Sequence, residues 1–114
     1  MAATLIRVRT SRQSEMLEIT GQVAAAVRDS GVRDGIVVVQ SLHTTAGLTI
    51  NENADPDVVH DLIEKLDREI PRREAYYRHA EGNSDSHMKT SLFGPSLTVI
   101  VSDGELLLGT WQGI

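Results

Sequence analysis

The chain predicts an α+β fold, a mostly antiparallel sheet covered by helices, and three features carry that prediction. The β-branched run Ile36-Val37-Val38-Val39 and the alternating Leu97-Thr98-Val99-Ile100-Val101 have strand character. Asp103-Gly104 joins the second of these to Glu105-Leu106-Leu107-Leu108, which is a short-range hairpin signature. Between the two strands, Asp55-Pro56 opens an amphipathic helical stretch. The coarse order is two strands, a helix, two strands, two helices and a hairpin.

Each element follows from local pattern. Thr4 to Thr10 alternates Ile6 and Val8 with Arg7 and Arg9 and reads as a half-buried strand. Glu15 to Ile19 reads as a second short strand leading to Thr20, which is placed to cap a helix from Gly21 to about Ser30. That helix directs Val23 and Val27 to one face and ends at Gly31. Asp34-Gly35 turns the chain into Ile36–Val39, expected as a central strand covered on both faces. The strand runs on to Leu42 and delivers His43-Thr44-Thr45-Ala46-Gly47 to its end, after which Leu48 to Glu52 alternates again. In the helix from Pro56 to about Glu69, Val58, Val59, Leu62, Ile63, Leu66 and Ile70 form one apolar stripe. His60 lies about 120° from its middle and is expected to face solvent.

Pro71 ends that helix, and a connection through Tyr76 and Tyr77 leads to the stretch from His79 to Lys89. There Gly82 turns the chain, and Asn83 or Ser84 caps a short helix containing Asp85, His87 and Lys89, with Met88 and Leu92 expected to face inward. Phe93-Gly94-Pro95 breaks the chain before the hairpin. Trp111 is expected to pack in the core with its N–H satisfied.

The 114 residues suit one domain, 1–114, able to bury roughly two-thirds of the surface that the unfolded chain exposes. With 11 basic and 16 acidic residues the net charge is −5. That argues against holding nucleic acid or an anionic membrane by bulk electrostatics, so any anion is held locally. The absence of cysteine excludes disulfides, thiolate ligation and cysteine nucleophiles. Met1 to Thr10 has no apolar signal segment, and no apolar run approaches the ~20 residues of a membrane span, so a cytoplasmic protein is expected. Arg68, Arg72, Arg73 and Arg78 are interleaved with acids and read as a solvated face.

Two of the four histidines, His79 and His87, lie within nine residues, interleaved with acids, an amide and hydroxyls where neither strand nor long-helix periodicity holds. His43 stands in a similar setting at a strand end. Three converging imidazoles with a fourth position open suit a divalent metal, zinc above all. Glu52, Glu81, Asn83 and Asp85 are the candidates for general base or for orienting the rings. Thr44, Thr45, Asn53, Lys89 and Gln112 are expected to bind substrate, with the N–H groups of the short helix helping to receive an anion. Magnesium, which takes oxygen ligands, is the alternative ion. A local hydrogen-bond network among the histidines, without metal, is the plainer alternative.

Taken together, His43-Thr44-Thr45-Ala46-Gly47, Asn51-Glu52-Asn53 with Asp55-Pro56-Asp57, the run H-A-E-G-N-S-D-S-H from His79 to His87, and Leu108-Gly109-Thr110-Trp111-Gln112 resemble the YjbQ-like family. Its members are often labelled secondary thiamine-phosphate synthases, and the match runs in order across most of the chain. The resemblance implies a YjbQ-like α+β homotrimer with a site near a subunit boundary, formed around His43, His79 and His87. It also implies weak thiamine-phosphate synthase activity, which joins a hydroxymethylpyrimidine diphosphate to a thiazole phosphate and releases pyrophosphate. Family members usually continue past Ile114 into a further strand and a basic tail, so that C-terminal strand is expected to be missing and a sheet edge left open.

The expected function is therefore a metal-assisted enzyme acting on a small phosphorylated or anionic molecule. A zinc-type hydrolase using a metal-bound hydroxide is one alternative. A non-enzymatic metal- or ligand-binding trimer is the other.

Overall fold

Two antiparallel sheets organise the chain, described for residues 3–114 in a computed structural model. From the N-terminus the elements are α1 (Thr20–Ser30), β1 (Gly35–Gln40), β2 (Asn51–Glu52), α2 (Pro56–Glu69), α3 (Ser84–Phe93), β3 (Ser96–Ser102), β4 (Glu105–Leu106) and β5 (Gln112–Gly113). One sheet has the order β1-β3-β4, and β2 pairs with β5 in a second, two-stranded ribbon. Helices with antiparallel sheets make this the α+β fold expected from the pattern. Among the described residues no helix is long and apolar enough to cross a membrane.

The hairpin and two of the helices form where the local chemistry places them. Asp103 (φ 54°) and Gly104 (φ 79°) are both left-handed, as a two-residue type I′ turn requires, and they bring Ser102 opposite Glu105. The turn is held from outside by Arg33, which pairs with the Asp103 carboxylate. In α2, Asp55 accepts a hydrogen bond from the Asp57 N–H at 2.9 Å and Pro56 occupies the first turn, so cap and proline act together. Its apolar stripe is half-buried, and His60 is exposed as expected. Helix α1 ends at Gly31 (φ 75°) as predicted.

Its start differs from expectation. Thr20 lies inside the helix, and its hydroxyl accepts the Ile114 N–H at 2.8 Å while the Ile19 N–H donates to the Ile114 carbonyl at 2.8 Å. The threonine therefore serves a long-range contact, not a cap. Ile114 is buried with Ile19, Val23 and Val99, and Ile6, Val37, Val39 and Leu48 pack around this core.

Several strand expectations are corrected. Thr4–Thr10 pairs with no strand; Ile6 packs on the core without a ladder, because an alternating pattern specifies a half-buried surface and not a hydrogen-bonded neighbour. Glu15–Ile19 is not a strand either, since the Glu15 carboxylate accepts the Ser11 N–H at 2.9 Å and closes a turn. In the stretch Leu48–Glu52 only Asn51 and Glu52 join a ladder, and β4 stops at Leu106, where the Leu108 N–H turns back to the Leu106 carbonyl.

Burial is also corrected. β1 is an edge strand: the pleat puts Val37 and Val39 on the core and leaves Ile36 and Val38 exposed. Trp111, Met88 and Leu92 are exposed where burial was expected.

Candidate functional site

Helix α3 carries the chemistry, and its boundaries explain why. Gly82 (φ 72°) adopts a conformation that only glycine takes readily, reversing the chain so that His79 comes back beside the helix it precedes. Asn83 stands at the cap position but makes no side-chain cap bond. Its backbone carbonyl accepts from the Ser86 and His87 N–H groups at 3.0 and 3.3 Å. The result is a contact between two imidazoles, with the His79 and His87 ring centroids 5.3 Å apart and the planes at 82°.

These rings line an open cleft of about 730 Å³ together with Ile70, Ser84, Met88, Ser91 and Leu92. Ser84, His87, Met88 and Ser91 recur at i, i+3, i+4 and i+7, so one face of α3 forms the wall. The face is mixed in polarity, with imidazoles and hydroxyls on one part and Ile70, Met88 and Leu92 on the other. That mixture leaves α3 without a purely apolar stripe. The exposure of Met88 and Leu92 thus has a use: they form the apolar part of the cleft.

Behind the cleft lies a polar cluster. Asp85 is 1% exposed, the only buried charged residue among those described. Lys89 sits one turn on, its Nζ 3.5 Å from Asp85 Oδ2 and 2.6 Å from Asp67 Oδ1, and the Ser14 hydroxyl donates to the same Asp67 oxygen at 3.0 Å. The Lys89 ammonium holds the Asp67 carboxyl below its usual range of about 3.8, followed in weight by an opposing burial effect and the Ser14 bond. Asp85 Oδ1 and Asn83 Oδ1 are buried without a hydrogen-bond partner, while Asn83 Nδ2 reaches Glu81 Oε2 at 3.4 Å. Asp67 and Ser14 were not among the expected residues. Asp85 and Lys89 at i, i+4 gave a signal for the pair, but nothing local pointed to a partner on α2.

The remaining expected residues gather elsewhere. His43 Nδ1 accepts the Thr45 N–H at 3.1 Å and lies 2.9 Å from Thr45 Oγ1, with Thr44 exposed in the same turn. An accepting Nδ1 puts the proton of the neutral ring on Nε2. The His43 segment is anchored by Leu48, whose N–H donates to the Gly94 carbonyl at 3.0 Å, and by Gly47, where an added Cβ would lie 3.0 Å from Phe93 Cβ. Those contacts are at the C-terminal end of α3, and a ten-residue helix is about 15 Å long. Glu52, Asn53 and Gln112 belong to the β2–β5 ribbon: Glu52 faces Gln112 in register, the Asn53 N–H donates to the Trp111 carbonyl at 2.9 Å, and Gln112 Oε1 accepts the Gly109 N–H at 2.7 Å.

Three histidines therefore do not meet within the chain. Among the described residues no group of three or more His, Asp or Glu side chains is arranged to hold a metal ion. The donor set does not fit a three-imidazole zinc centre, because His43 is tied to the opposite end of the helix that carries His87. Lys89, expected to receive an anion, is already bonded to two carboxylates.

The comparisons agree on kinship and assign no activity. A family model described as "UPF0047 protein YjbQ-like" matches residues 4–114. A UPF0047 protein of Methanocaldococcus jannaschii is 51% identical over 108 residues, covering 95% of this chain and 78% of the relative. The UPF0047 protein YugU of Bacillus subtilis is 46% identical over 109 residues, covering 96% and 83%. A crystal structure from Clostridium acetobutylicum, described as an uncharacterized conserved protein of the yjbq/upf0047 family, superposes with a TM-score of 0.90 at 51% identity, covering 93% of this chain and 81% of that one. None of these descriptions names a reaction. With no metal-holding group in the described residues and no reaction named for these relatives, the metal-assisted enzyme is overturned, both as a thiamine-phosphate synthase and as a zinc-type hydrolase.

Proposed function

We propose that this chain, which belongs to the YjbQ-like UPF0047 family, binds a small anionic molecule in the α3 cleft, with the His79 and His87 imidazoles as the groups that meet it. The observation that carries the reading is the contact of these two rings at the wall of a cleft within the roughly 300–1,000 Å³ range of small-molecule sites. Imidazole N–H groups donate to phosphate or carboxylate oxygens, and protonated rings add charge to those bonds. The Ser84 and Ser91 hydroxyls extend the polar part, while Ile70, Met88 and Leu92 suit a ligand with an apolar body. Neither a metal ion nor a chemical step enters this reading.

Titration calorimetry in EDTA tests it with phenyl phosphate, inorganic phosphate and phenol. Phenyl phosphate is expected to bind most tightly, since it alone has both the anion and the apolar ring. The double variant His79→Ala/His87→Ala is expected to lose at least tenfold in affinity. Zinc and magnesium, the ions expected from the sequence, are titrated in separate arms; a requirement for either before phenyl phosphate binds would overturn the metal-free reading. Equal affinity of the wild type and the double variant would also overturn it.

A further inference from the structure

We infer that a second cavity, around α3 from the histidine cleft, binds a small zwitterion with an ammonium at one end and a carboxylate at the other, a short ω-amino acid. The cavity holds about 400 Å³, and Arg12, Ser14, Asp67, Arg72 and Asp85 are among the residues that line it. It thus lies where the N-terminal segment meets the end of α2 and the start of α3. No lining residue is shared with the cleft of His79 and His87. At 3.6 residues per turn, Asp85 and Lys89 lie about 130° around α3 from the middle of the wall formed by Ser84, His87, Met88 and Ser91.

One end of the cavity is short of positive charge. Lys89 Nζ is 2.6 Å from Asp67 Oδ1 and 3.5 Å from Asp85 Oδ2, so two carboxylates share one ammonium. The Ser14 hydroxyl donates to the same Asp67 oxygen, and Asp85 Oδ1 is buried with no donor. A buried acceptor without a donor is costly, and a ligand that brings N–H groups and a positive charge relieves that cost. The Asp67 side chain is 47% exposed and Asp85 2%. An incoming ammonium therefore meets Asp67 from the open side, with the Asp85 charge behind it.

Arg12 and Arg72 bring the opposite sign to the same cavity, and both are exposed. Arg72 Nη1 donates to Gln13 Oε1 at 3.0 Å, which uses one of the five N–H groups of that guanidinium. Neither guanidinium is within ion-pair distance of Asp67 or Asp85, whose cation among the described residues is Lys89. Opposite charges that line one cavity without pairing are held apart, and a molecule carrying both signs at a distance satisfies both. A bare metal ion would meet two guanidinia and an ammonium, and inorganic phosphate would meet two carboxylates. The guanidinium fork instead suits a ligand carboxylate, and the acids suit its ammonium.

Nuclear magnetic resonance titration of the full chain with γ-aminobutyrate, butylamine and butyrate tests the inference, because each of the last two keeps one end of the first. γ-Aminobutyrate is expected to bind at least tenfold more tightly than either. Asp67→Asn, at a half-exposed position, is expected to weaken γ-aminobutyrate and butylamine alike by about tenfold. Arg12→Gln/Arg72→Gln is expected to weaken γ-aminobutyrate by about tenfold and to leave butylamine unchanged, a split that a general loosening of the fold would not produce. Wild-type affinity for γ-aminobutyrate in either variant overturns the inference, as does γ-aminobutyrate binding no more tightly than butylamine or butyrate. Absence of saturable binding by all three probes also overturns it, water alone then meeting the buried oxygen. His79→Ala/His87→Ala is expected to bind γ-aminobutyrate as the wild type does, and a loss there would move the zwitterion to the histidine cleft and overturn the inference. The phenyl phosphate titration reads the other cavity, so either proposal can fail alone.

Discussion

Replacing Lys89 with methionine isolates the buried charge behind the cleft. The substitution keeps most of the apolar stem and removes the ammonium, the one cationic partner of Asp85 among the described residues. The Asp85 side chain is 2% exposed and its Oδ1 has no partner already, so the variant leaves a carboxylate in the interior with nothing to balance it. Breaking a buried pair in this way costs about 3–5 kcal/mol. Asp67 adds little, because it is about half exposed and water can take the place of the ammonium. At about 4 °C per kcal/mol for a domain of this size, the melting temperature falls by about 12–20 °C. Adding Asp85→Asn to Lys89→Met replaces the stranded charge with a neutral amide and is expected to recover more than half of the loss. Thermal or urea unfolding at one fixed protein concentration reads both effects, since association of copies would make the midpoint concentration-dependent. A Lys89→Met variant within about 1 kcal/mol of the wild type, or a double variant no more stable than the single one, would refute the argument.

Other consequences follow from local geometry. In Gly113→Ala the new Cβ would lie 2.8 Å from Asn53 Cβ and 3.2 Å from Thr20 Oγ1, so overpacking of the β2–β5 ribbon is expected to cost about 1–3 kcal/mol in urea unfolding. Unchanged stability would mean the ribbon is looser than described. Thr20→Val removes the acceptor of the Ile114 N–H and is expected to cost about 1–3 kcal/mol, with faster hydrogen exchange at that amide as the specific readout. The Asp67 carboxyl has its folded pKa lowered by Lys89, so its stabilising contribution is complete above the unfolded value near 3.8 and is lost as pH falls through the folded value. The stability gap between the wild type and Asp67→Asn is therefore expected to narrow between pH 6 and pH 2, and a gap independent of pH would contradict the pairing.

What could be read from the chain was what short-range chemistry decides. Asp55-Pro56 with its apolar stripe, the Asp103-Gly104 turn and the Gly82-Asn83 entry to α3 each specify their element with residues close in sequence, and all three are present. Ile36–Val39 showed strand character but not its neighbours. A β-branched run has the same pattern whether its second face is covered by its own chain, by another copy or by water, and here its own chain leaves it bare. The site divided in the same way. His79 and His87 are joined by a tight turn, which Gly82 made visible. The place of His43 depends on where Gly47 packs along α3, and no spacing in the sequence records that.

The most direct measurement follows the imidazole resonances of all four histidines by nuclear magnetic resonance while phenyl phosphate is added. His79 and His87 are expected to shift together and saturably, with His60, on the exposed side of α2, unmoved. Shifts of equal size at His60, or none at His79 and His87, would contradict a ligand cleft built on their contact.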